Sequence, residues 1–249
     1  MTNFSDIIVK RFGKSIDSHM VTYKIVQVIC PFVNYKVLRN HLIPLPEYRI
    51  TKPYVCQKEI PKYTEIENTW DNKENIISNN SNILGNFGKL ETSQIINLPI
   101  NFANKNNVNY YGAKLFNVHE LIKFDFKKAF LPLTYISIGQ NYVKDYIQER
   151  ELGGGQYLEY HDNPHYHSPL NSDNKGFIVL GKKVENKIRL SGFIIPWNTG
   201  LYTPGGIIHN DANLVGNWMV SYAKSNDYST VLLRDENDNC TKIVPQYMK

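Results

Sequence analysis

The fold is decided by two segments, Gly153-Gly-Gly-Gln-Tyr-Leu-Glu-Tyr-His161-Asp-Asn-Pro-His165-Tyr-His167 and Tyr202-Thr-Pro204-Gly-Gly206-Ile-Ile-His209-Asn-Asp-Ala-Asn213. Between them they hold four of the seven histidines, and short alternating apolar runs flank both. Several imidazoles gathered on strands and at turns are typical of a divalent metal site. The two segments therefore predict a metal site inside a small β-barrel.

Composition agrees with one packed β domain. The chain has 249 residues, 42% of them apolar and 12% aromatic, and a barrel of this length forms a single unit. Tyrosine, phenylalanine, valine and isoleucine recur throughout and suit the pleated surface of a sheet. The net charge of +5 is modest and the lysines are dispersed, which favours a solvated exterior over a nucleic-acid surface.

The cysteines and the termini bear on the compartment. Cys30, Cys56 and Cys240 are odd in number and share no CxxC spacing, so neither a disulfide framework nor a cysteine-based zinc site is expected. The N-terminal residues lack the pattern of a signal peptide, and no apolar run reaches the roughly 18–20 residues that span a bilayer. We expect a soluble cytoplasmic protein that does not bind membranes.

Strand signals recur along most of the chain, separated by Gly, Pro, Asn and Asp, as in an antiparallel sandwich or barrel. The predicted strands are Asp6–Arg11, Met20–Val33, Tyr54–Ile60, Gln94–Leu98, Val108–Phe116, Leu133–Ile138, Gln156–His161, Gly176–Gly181, Lys187–Ile195, Gly200–Tyr202, Leu214–Ala223, Ser229–Arg234 and Lys242–Val244. Leu121–Phe130 and Asn141–Glu151 are the expected helical or irregular interruptions, and Glu185-Asn186 the tip of a hairpin.

The asparagine-dense stretch near residues 71–92 favours turns and predicts a surface loop. We therefore divide the chain into an N-terminal β-rich extension, residues 1–92, and a β-barrel, residues 93–249.

The histidine spacing suggests which side chains converge. His165 and His167 are two residues apart, so both rings project from one face of a strand, and His161 has the same parity. Pro164 interrupts a continuous strand between His161 and His165. His209 follows Pro-Gly-Gly-Ile-Ile, where the glycines allow a tight turn. An HxH pair and one remote histidine are enough to bind a metal on one side and leave positions open.

These residues resemble the motifs of the cupin superfamily. Pro204, Gly206, His209 and Asn213 match the last four fixed positions of its second motif, G(X)5PxG(X)2H(X)3N. His165 and His167 match the HxH of its first motif, G(X)5HxH(X)3–4E(X)6G, whose glutamate position is occupied by Asn174. A second register of the first motif begins at His161, with His167 near the glutamate position, and the sequence leaves both registers open.

The resemblance implies an all-β, double-stranded β-helix (jelly-roll barrel) and a homodimer. It implies that His165, His167 and His209 bind the metal, with His161, Glu159 or a nearby tyrosine as a possible fourth ligand. A three-histidine site is similar to the iron sites of thiol dioxygenases, so Fe(II) is favoured over Zn, Mn or Ni. The expected function is an oxygenase acting on a small polar or anionic molecule. The alternatives are an isomerase, epimerase or lyase, and a non-enzymatic binding or structural protein.

Four further residues are candidates for the chemistry. Tyr166 and Tyr202 are candidate acid–base or substrate-contacting groups, and Arg189 and Arg234 are candidates to bind a carboxylate or phosphate bidentately. Asp211 follows His209 closely, and we interpret it as a turn cap in preference to a histidine partner.

Overall fold

The computed structural model describes residues 8–46, 53–67, 70–76, 87–223, 225 and 227–247. Strands make up 51% of the structure and helices 5%, which confirms the all-β class. Within the described residues, no helix has the length and apolar character needed to cross a membrane.

The described strands, in chain order, are β1 (Lys10–Phe12), β2 (His19–Ile29), β3 (Asn34–Val37), β4 (Leu42–Pro44), β5 (Thr64–Glu67), β6 (Asp71–Ile76), β7 (Phe87–Glu91), β8 (Ile95–Phe102), β9 (Lys114–Asn117), β10 (Leu121–Lys123), β11 (Leu131–Ile138), β12 (Tyr157–His161), β13 (His165–Pro169), β14 (Lys175–Gly176), β15 (Ile178–Val184), β16 (Lys187–Ile194), β17 (Thr199–Thr203), β18 (Ile208–Asn210), β19 (Leu214–Ser221), β20 (Tyr228–Arg234) and β21 (Lys242–Tyr247). The short helix α1 spans Lys105–Asn109, and a π-helical turn spans Val143–Ile147.

These strands form two large sheets and one small one. The eight-stranded sheet has the order β1-β2-β11-β19-β13-β17-β9, with β14 paired to β19. The ten-stranded sheet has the order β21-β8-β16-β15-β18-β12-β20-β7-β6, with β5 paired to β16. Most pairings are antiparallel, and the pairings of β8 with β16, β8 with β21 and β7 with β20 are parallel. A three-stranded sheet, β10-β3-β4, completes the set.

The main core lies between the two large sheets. Ile136 and Trp218 of the eight-stranded sheet share one buried cluster with Leu180 and Phe193 of the ten-stranded sheet. Side chains of opposite parity, such as Met219 next to Trp218, join a second cluster that packs against the three-stranded sheet. A third cluster covers the other face of the ten-stranded sheet. Each large sheet is therefore buried on both faces, and any side chain on the inner faces points into the main core.

Most predicted strands from Leu133 onward are confirmed within one to three residues at each end, as is the hairpin at Glu185-Asn186. Asn141–Glu151 contains the π-helical turn, and Leu121–Phe130 begins with β10 before becoming irregular. The prediction for Val108–Phe116 is wrong in its first half. Asn104 caps α1 there through a reciprocal hydrogen-bond pair with Asn107.

Several strand and loop predictions for residues 1–92 are wrong or lie outside the described residues. Tyr54–Ile60 contains no strand, and Asp6–Arg11 lies partly outside the described residues. The predicted loop near 71–92 is wrong at both ends, because residues 71–76 and 87–91 form β6 and β7; residues 77–86 lie outside the described residues. The parallel pairing of β7 with β20 supplies a partner that local propensity cannot reveal. Strands from residues 1–92 are therefore built into both large sheets.

Candidate metal centre

The candidate site is formed by three strands that belong to both large sheets. β12 ends at His161 and β18 carries His209, and these two strands are neighbours in the ten-stranded sheet. β13, which carries His165 and His167, lies in the eight-stranded sheet. The chain crosses between the sheets at residues 162–164, where Pro164 cannot continue the β12 ladder. The histidines therefore meet in the space between the sheets.

His161, His165 and His209, hereafter the histidine triad, lie close enough together to bind one ion. One ring nitrogen from each lies within 4.8 Å of the other two. The ring centroids are 4.4 Å apart for His161 and His165, 4.7 Å for His165 and His209, and 4.9 Å for His161 and His209. All three residues are at most 5% exposed. The donor set, the spacing and the burial suit a divalent metal.

Unpaired ring nitrogens support this arrangement. Nδ1 of His161, Nδ1 of His165 and Nε2 of His209 are buried with no hydrogen-bond partner within the described part of the chain. Buried polar atoms are normally paired, so three such nitrogens in one place call for an explanation. His209 Nδ1 lies 2.8 Å from the carbonyl oxygen of Ile207 and donates to it in the neutral ring, which leaves Nε2 with a free lone pair. The triad therefore fits a metal ion.

Burial keeps the triad neutral. Burial, with the neighbouring charge of His209 as the next cause, lowers the pKa of His161 to about 4. Burial also lowers the pKa of His209 and holds the pKa of His165 well below its usual range. Neutral imidazole is the form that binds a metal, so the site needs no deprotonation at neutral pH.

Glu159 adds a carboxylate beside the triad. It pairs in register with His209 across β12 and β18, and its Oε1 lies 3.6 Å from His209 Nε2. Burial raises the pKa of Glu159 to about 7. Glu159 precedes His161 by two residues, so both side chains point into the space between the sheets. It therefore places a carboxylate beside His209, on the same face of β12 as His161.

His167 lies next to the triad and is fixed by Asp211. His167 Nε2 is 3.2 Å from Asp211 Oδ2, and His165, His167 and Asp211 form a second group with metal-binding spacing. The hydroxyls of Tyr157 and Tyr222 both donate to Asp211, that of Tyr157 over 2.9 Å. Burial alone would raise the pKa of Asp211, but the hydrogen bond and charge of His167, with other donors, hold that pKa well below its usual range. The interpretation of Asp211 as a turn cap is corrected, because it accepts three side-chain hydrogen bonds.

The ligands that the resemblance implies are divided between the two groups: His165 and His209 lie in the triad, and His165 and His167 lie in the second group. The resemblance places His167 among the three ligands and leaves His161 undecided, whereas the structure groups His161 with His165 and His209. A spacing in the sequence carries this information. Gly153 precedes Glu159 by six residues, His161 follows Glu159 by two, and His165 follows His161 by four. In this register only Gly153 and His161 occupy fixed positions of the first motif; Glu159 stands at its first histidine position, His165 at its glutamate position and Ser172 at its closing glycine.

The two candidate tyrosines lie away from the triad. Tyr166 stands between His165 and His167, so strand alternation turns its ring to the opposite face of the sheet, in the second core cluster. Tyr202 pairs with Tyr166 across β13 and β17, and its hydroxyl accepts from the backbone N–H of Asp125 over 3.2 Å. Both residues are therefore core tyrosines, and the structure does not bring them to the site.

The two candidate arginines are also engaged elsewhere. Arg189 donates to Glu65 and to the Tyr110 hydroxyl, each over 2.9 Å. Arg234 is 2% exposed, and its guanidinium contacts the sulfur of Cys240. The hydrogen bonds of both guanidinium groups therefore go to residues outside the triad.

Arg11 is the arginine that sequence inspection missed. Its guanidinium donates to the hydroxyl of Tyr142 over 3.1 Å. Burial raises the pKa of Tyr157 well above its usual range, and the charge of Arg11 opposes that rise. Arg11 and Tyr142 are 131 positions apart in the sequence, so no local sequence pattern predicts their contact. β1 of the N-terminal extension thus brings a positive charge near the site.

Comparison with protein-family models, curated proteins and solved structures finds no match to this chain. Functional inference therefore rests on the site itself.

Proposed function

We propose that the protein is a metal-dependent enzyme of the cupin type, with a jelly-roll barrel built from its two large sheets. His161, His165 and His209 would hold the metal and Glu159 would complete the set. One observation carries the proposal: three buried neutral imidazoles present unpaired nitrogens within 4.8 Å of one another. The match of Pro204–Asn213 to the second cupin motif supports it independently.

We favour Fe(II) as the metal and an oxygenase acting on a small polar or anionic molecule as the activity. Three neutral imidazoles and one carboxylate would leave one positive charge of a divalent ion uncompensated, and a bound metal would supply Lewis acidity toward dioxygen or an anionic group. Arg11 adds a second positive charge on the same side of the core, which favours an anionic substrate. Zinc, manganese and nickel suit the same nitrogen and oxygen donors.

The residues around the triad would position the substrate and exclude water. Asp211 holds the Tyr157 and Tyr222 hydroxyls and His167 Nε2, so these polar groups keep fixed orientations. The Tyr222 ring lies 5.0 Å from the His165 ring and forms a wall beside the triad. A fixed polar wall of this kind lowers the cost of orienting a reactant.

A second candidate is a metal-dependent isomerase, epimerase or lyase. The observation that favours it is the group of proton-carrying side chains next to the triad: His167, Tyr157 and Tyr222 all contact Asp211. In this case His167, whose Nδ1 is buried and unpaired within the described residues, would move a proton at that atom.

Metal analysis and oxygen uptake test these proposals. We expect about one equivalent of metal per chain, lost in His161→Ala and retained in the control His41→Ala, whose exposed imidazole contacts Asn40. Iron with substrate-dependent oxygen consumption supports the oxygenase. Zinc, manganese or nickel with activity that does not need oxygen supports the second candidate. Protein that binds none of these metals stoichiometrically refutes both and leaves a non-enzymatic binding or structural role.

A further inference from the structure

The ten-stranded sheet has a notch on one side of β18. In register, Gly181 of β15 faces Ile208, the first residue of β18, and Glu159 of β12 faces His209. Before Ile208 the chain leaves the sheet through the turn at Gly205–Gly206, so β15 and β12 run on without a strand between them. A cavity of about 390 Å³ opens here, hereafter the notch. Such a volume lies at the lower end of the roughly 300–1,000 Å³ of small-molecule sites.

The walls of the notch carry positive charge. Lys58, Lys182 and Lys183 line it, and among the residues that the structure describes no aspartate or glutamate does. Among the ion pairs of the described residues, these three lysines have no carboxylate partner. By contrast, Lys187 on the adjacent strand β16 pairs with Glu65 and Glu67 at 3.2 and 2.7 Å. Within the described residues, the three lysines of the notch are therefore not paired with carboxylates, whereas the neighbouring Lys187 is paired with two.

Aromatic rings hold two of these ammonium groups in place. Lys182 Nζ lies 4.7 Å from the centre of the Tyr110 ring and 3.4 Å from the Tyr110 carbonyl oxygen. Lys183 Nζ lies 5.0 Å from the centre of the Trp70 ring and 5.7 Å from that of Tyr160. Cation–π contacts of this kind fix a lysine head without neutralising its charge. Tyr110 and Tyr160 also give the notch apolar surface.

We propose that the notch binds a small organic anion, a carboxylate or phosphate attached to a flat ring. Lys182 would bind the anionic group, and Tyr110 and Ile207 would contact the ring. Lys183, which lies with Trp70 and Tyr160 toward the other face of β15, would add positive charge to the same cavity. This proposal rests on the charge, shape and aromatic lining of the notch and does not depend on the proposed metal enzyme.

The notch lies directly behind the metal centre. Its floor includes Gly206 and Ile207. The Gly206 N–H donates to the His161 carbonyl oxygen over 2.8 Å, and the Ile207 carbonyl accepts from His209 Nδ1. A ligand in the notch would thus contact the turn that orients two members of the triad.

Calorimetric titration of metal-free protein with benzoate, phenyl phosphate and benzamide tests the proposal. We expect saturable binding of at least one of the two anions, and binding of neutral benzamide at least tenfold weaker. The tighter of the two anions identifies the preferred group. Lys182→Gln/Lys183→Gln should weaken anion binding at least tenfold, which is about 1.4 kcal/mol. Lys183→Gln alone, at an exposed position, should weaken it in the same direction without disturbing the fold.

Lys187→Gln is the matched control, because it removes the same charge from the neighbouring strand where glutamates already balance it. It should leave anion binding within twofold of wild type. The proposal is overturned if neither anion saturates the protein below about 10 mM, if benzamide binds as tightly, or if the lysine variants bind like the control. Since the titration uses metal-free protein, its outcome is separate from that of the metal analysis.

Discussion

Replacing Asp211 by asparagine tests the central claim that a buried anion organises the site. The carboxylate accepts from His167 Nε2 and from the hydroxyls of Tyr157 and Tyr222, and the residue is 4% exposed. Its pKa lies well below the usual range although burial alone would raise it. The hydrogen bonds and neighbouring charges therefore lower the pKa of Asp211 by more than burial raises it, and the ionised carboxylate stabilises the fold.

The magnitude follows from the three hydrogen bonds. Asparagine matches the shape of aspartate, so Asp211→Asn removes the charge without opening a cavity. A hydrogen bond to a charged group contributes roughly 1.5–3 kcal/mol and a neutral one roughly 0.5–1.5, a difference of about 1 kcal/mol each. For three bonds we expect the free energy of unfolding of the metal-free protein to fall by about 3 kcal/mol.

Urea denaturation at pH 7 measures this change, with Asp235→Asn as control. Asp235 is also nearly buried, at 6% exposure, but accepts from Asn237 and Asn239 of its own turn. We expect that control to lose much less than Asp211→Asn, because its donors belong to its own turn, where asparagine also serves, and its carboxylate lies near the protein surface. A loss in Asp211→Asn no larger than in Asp235→Asn would refute the claim that the Asp211 charge organises the site.

Four further predictions can be checked separately. In isothermal titration, His161→Ala should lower the metal affinity more than 100-fold. His167→Ala should lower it only about tenfold, as for a residue next to the ligands that does not bind the metal itself. Equal losses in the two variants would show that His167 is also a ligand. Gly200→Ala should lower the free energy of unfolding by about 1–3 kcal/mol, since a Cβ there would lie 2.0 Å from the Tyr166 hydroxyl; an unchanged urea midpoint contradicts this packing. The unfolded chain takes up protons at the three triad histidines, whose folded pKa values are lowered, while the folded chain retains one at Glu159, whose pKa is raised to about 7. As the pH falls, the free energy of unfolding of metal-free protein should therefore decrease by roughly 1 kcal/mol per pH unit near pH 6.5 and by roughly 2–3 kcal/mol per unit between about pH 6 and 4.5; urea midpoints that stay flat over this range would contradict the neutral triad. Light scattering should give the mass of a homodimer, and a mass of 28.8 kDa would contradict that expectation.

The strands were predictable from sequence where each carries its own signal. Alternation and flanking turns located β11, β15, β16 and β20 well, because side-chain parity along a strand is a local property. The strands β6 and β7 were not predictable, since β6 contains two asparagines and the chain between β6 and β7 is rich in asparagine, which favours turns. β7 is stabilised by parallel pairing with β20, some 140 positions later. Contacts of this range are set by the fold as a whole.

The site was predictable in its residue types and less so in its geometry. Parity correctly put His165 and His167 on one face of a strand, and the turn before His209 correctly delivered that ring to the interior. Parity could not say that β12 and β13 belong to different sheets. The crossing after His161 places its ring opposite His165, so the two rings approach to 4.4 Å while the centroids of His165 and His167 stay 5.5 Å apart.

That crossing also bears on the carboxylate beside the triad, Glu159. If the HxH pair were His165 and His167 on one strand, the first motif would place a glutamate after His167, and Asn174 occupies that position. Because the strand ends at His161, the residues that face the core from β12 are Glu159 and His161, and β13 contributes His165. Glu159 then faces His209 across the β12–β18 pairing. Three histidines converge and Glu159 lies beside one of them, so the composition of the site follows from which strands face the core and not from the order of residues in the motif.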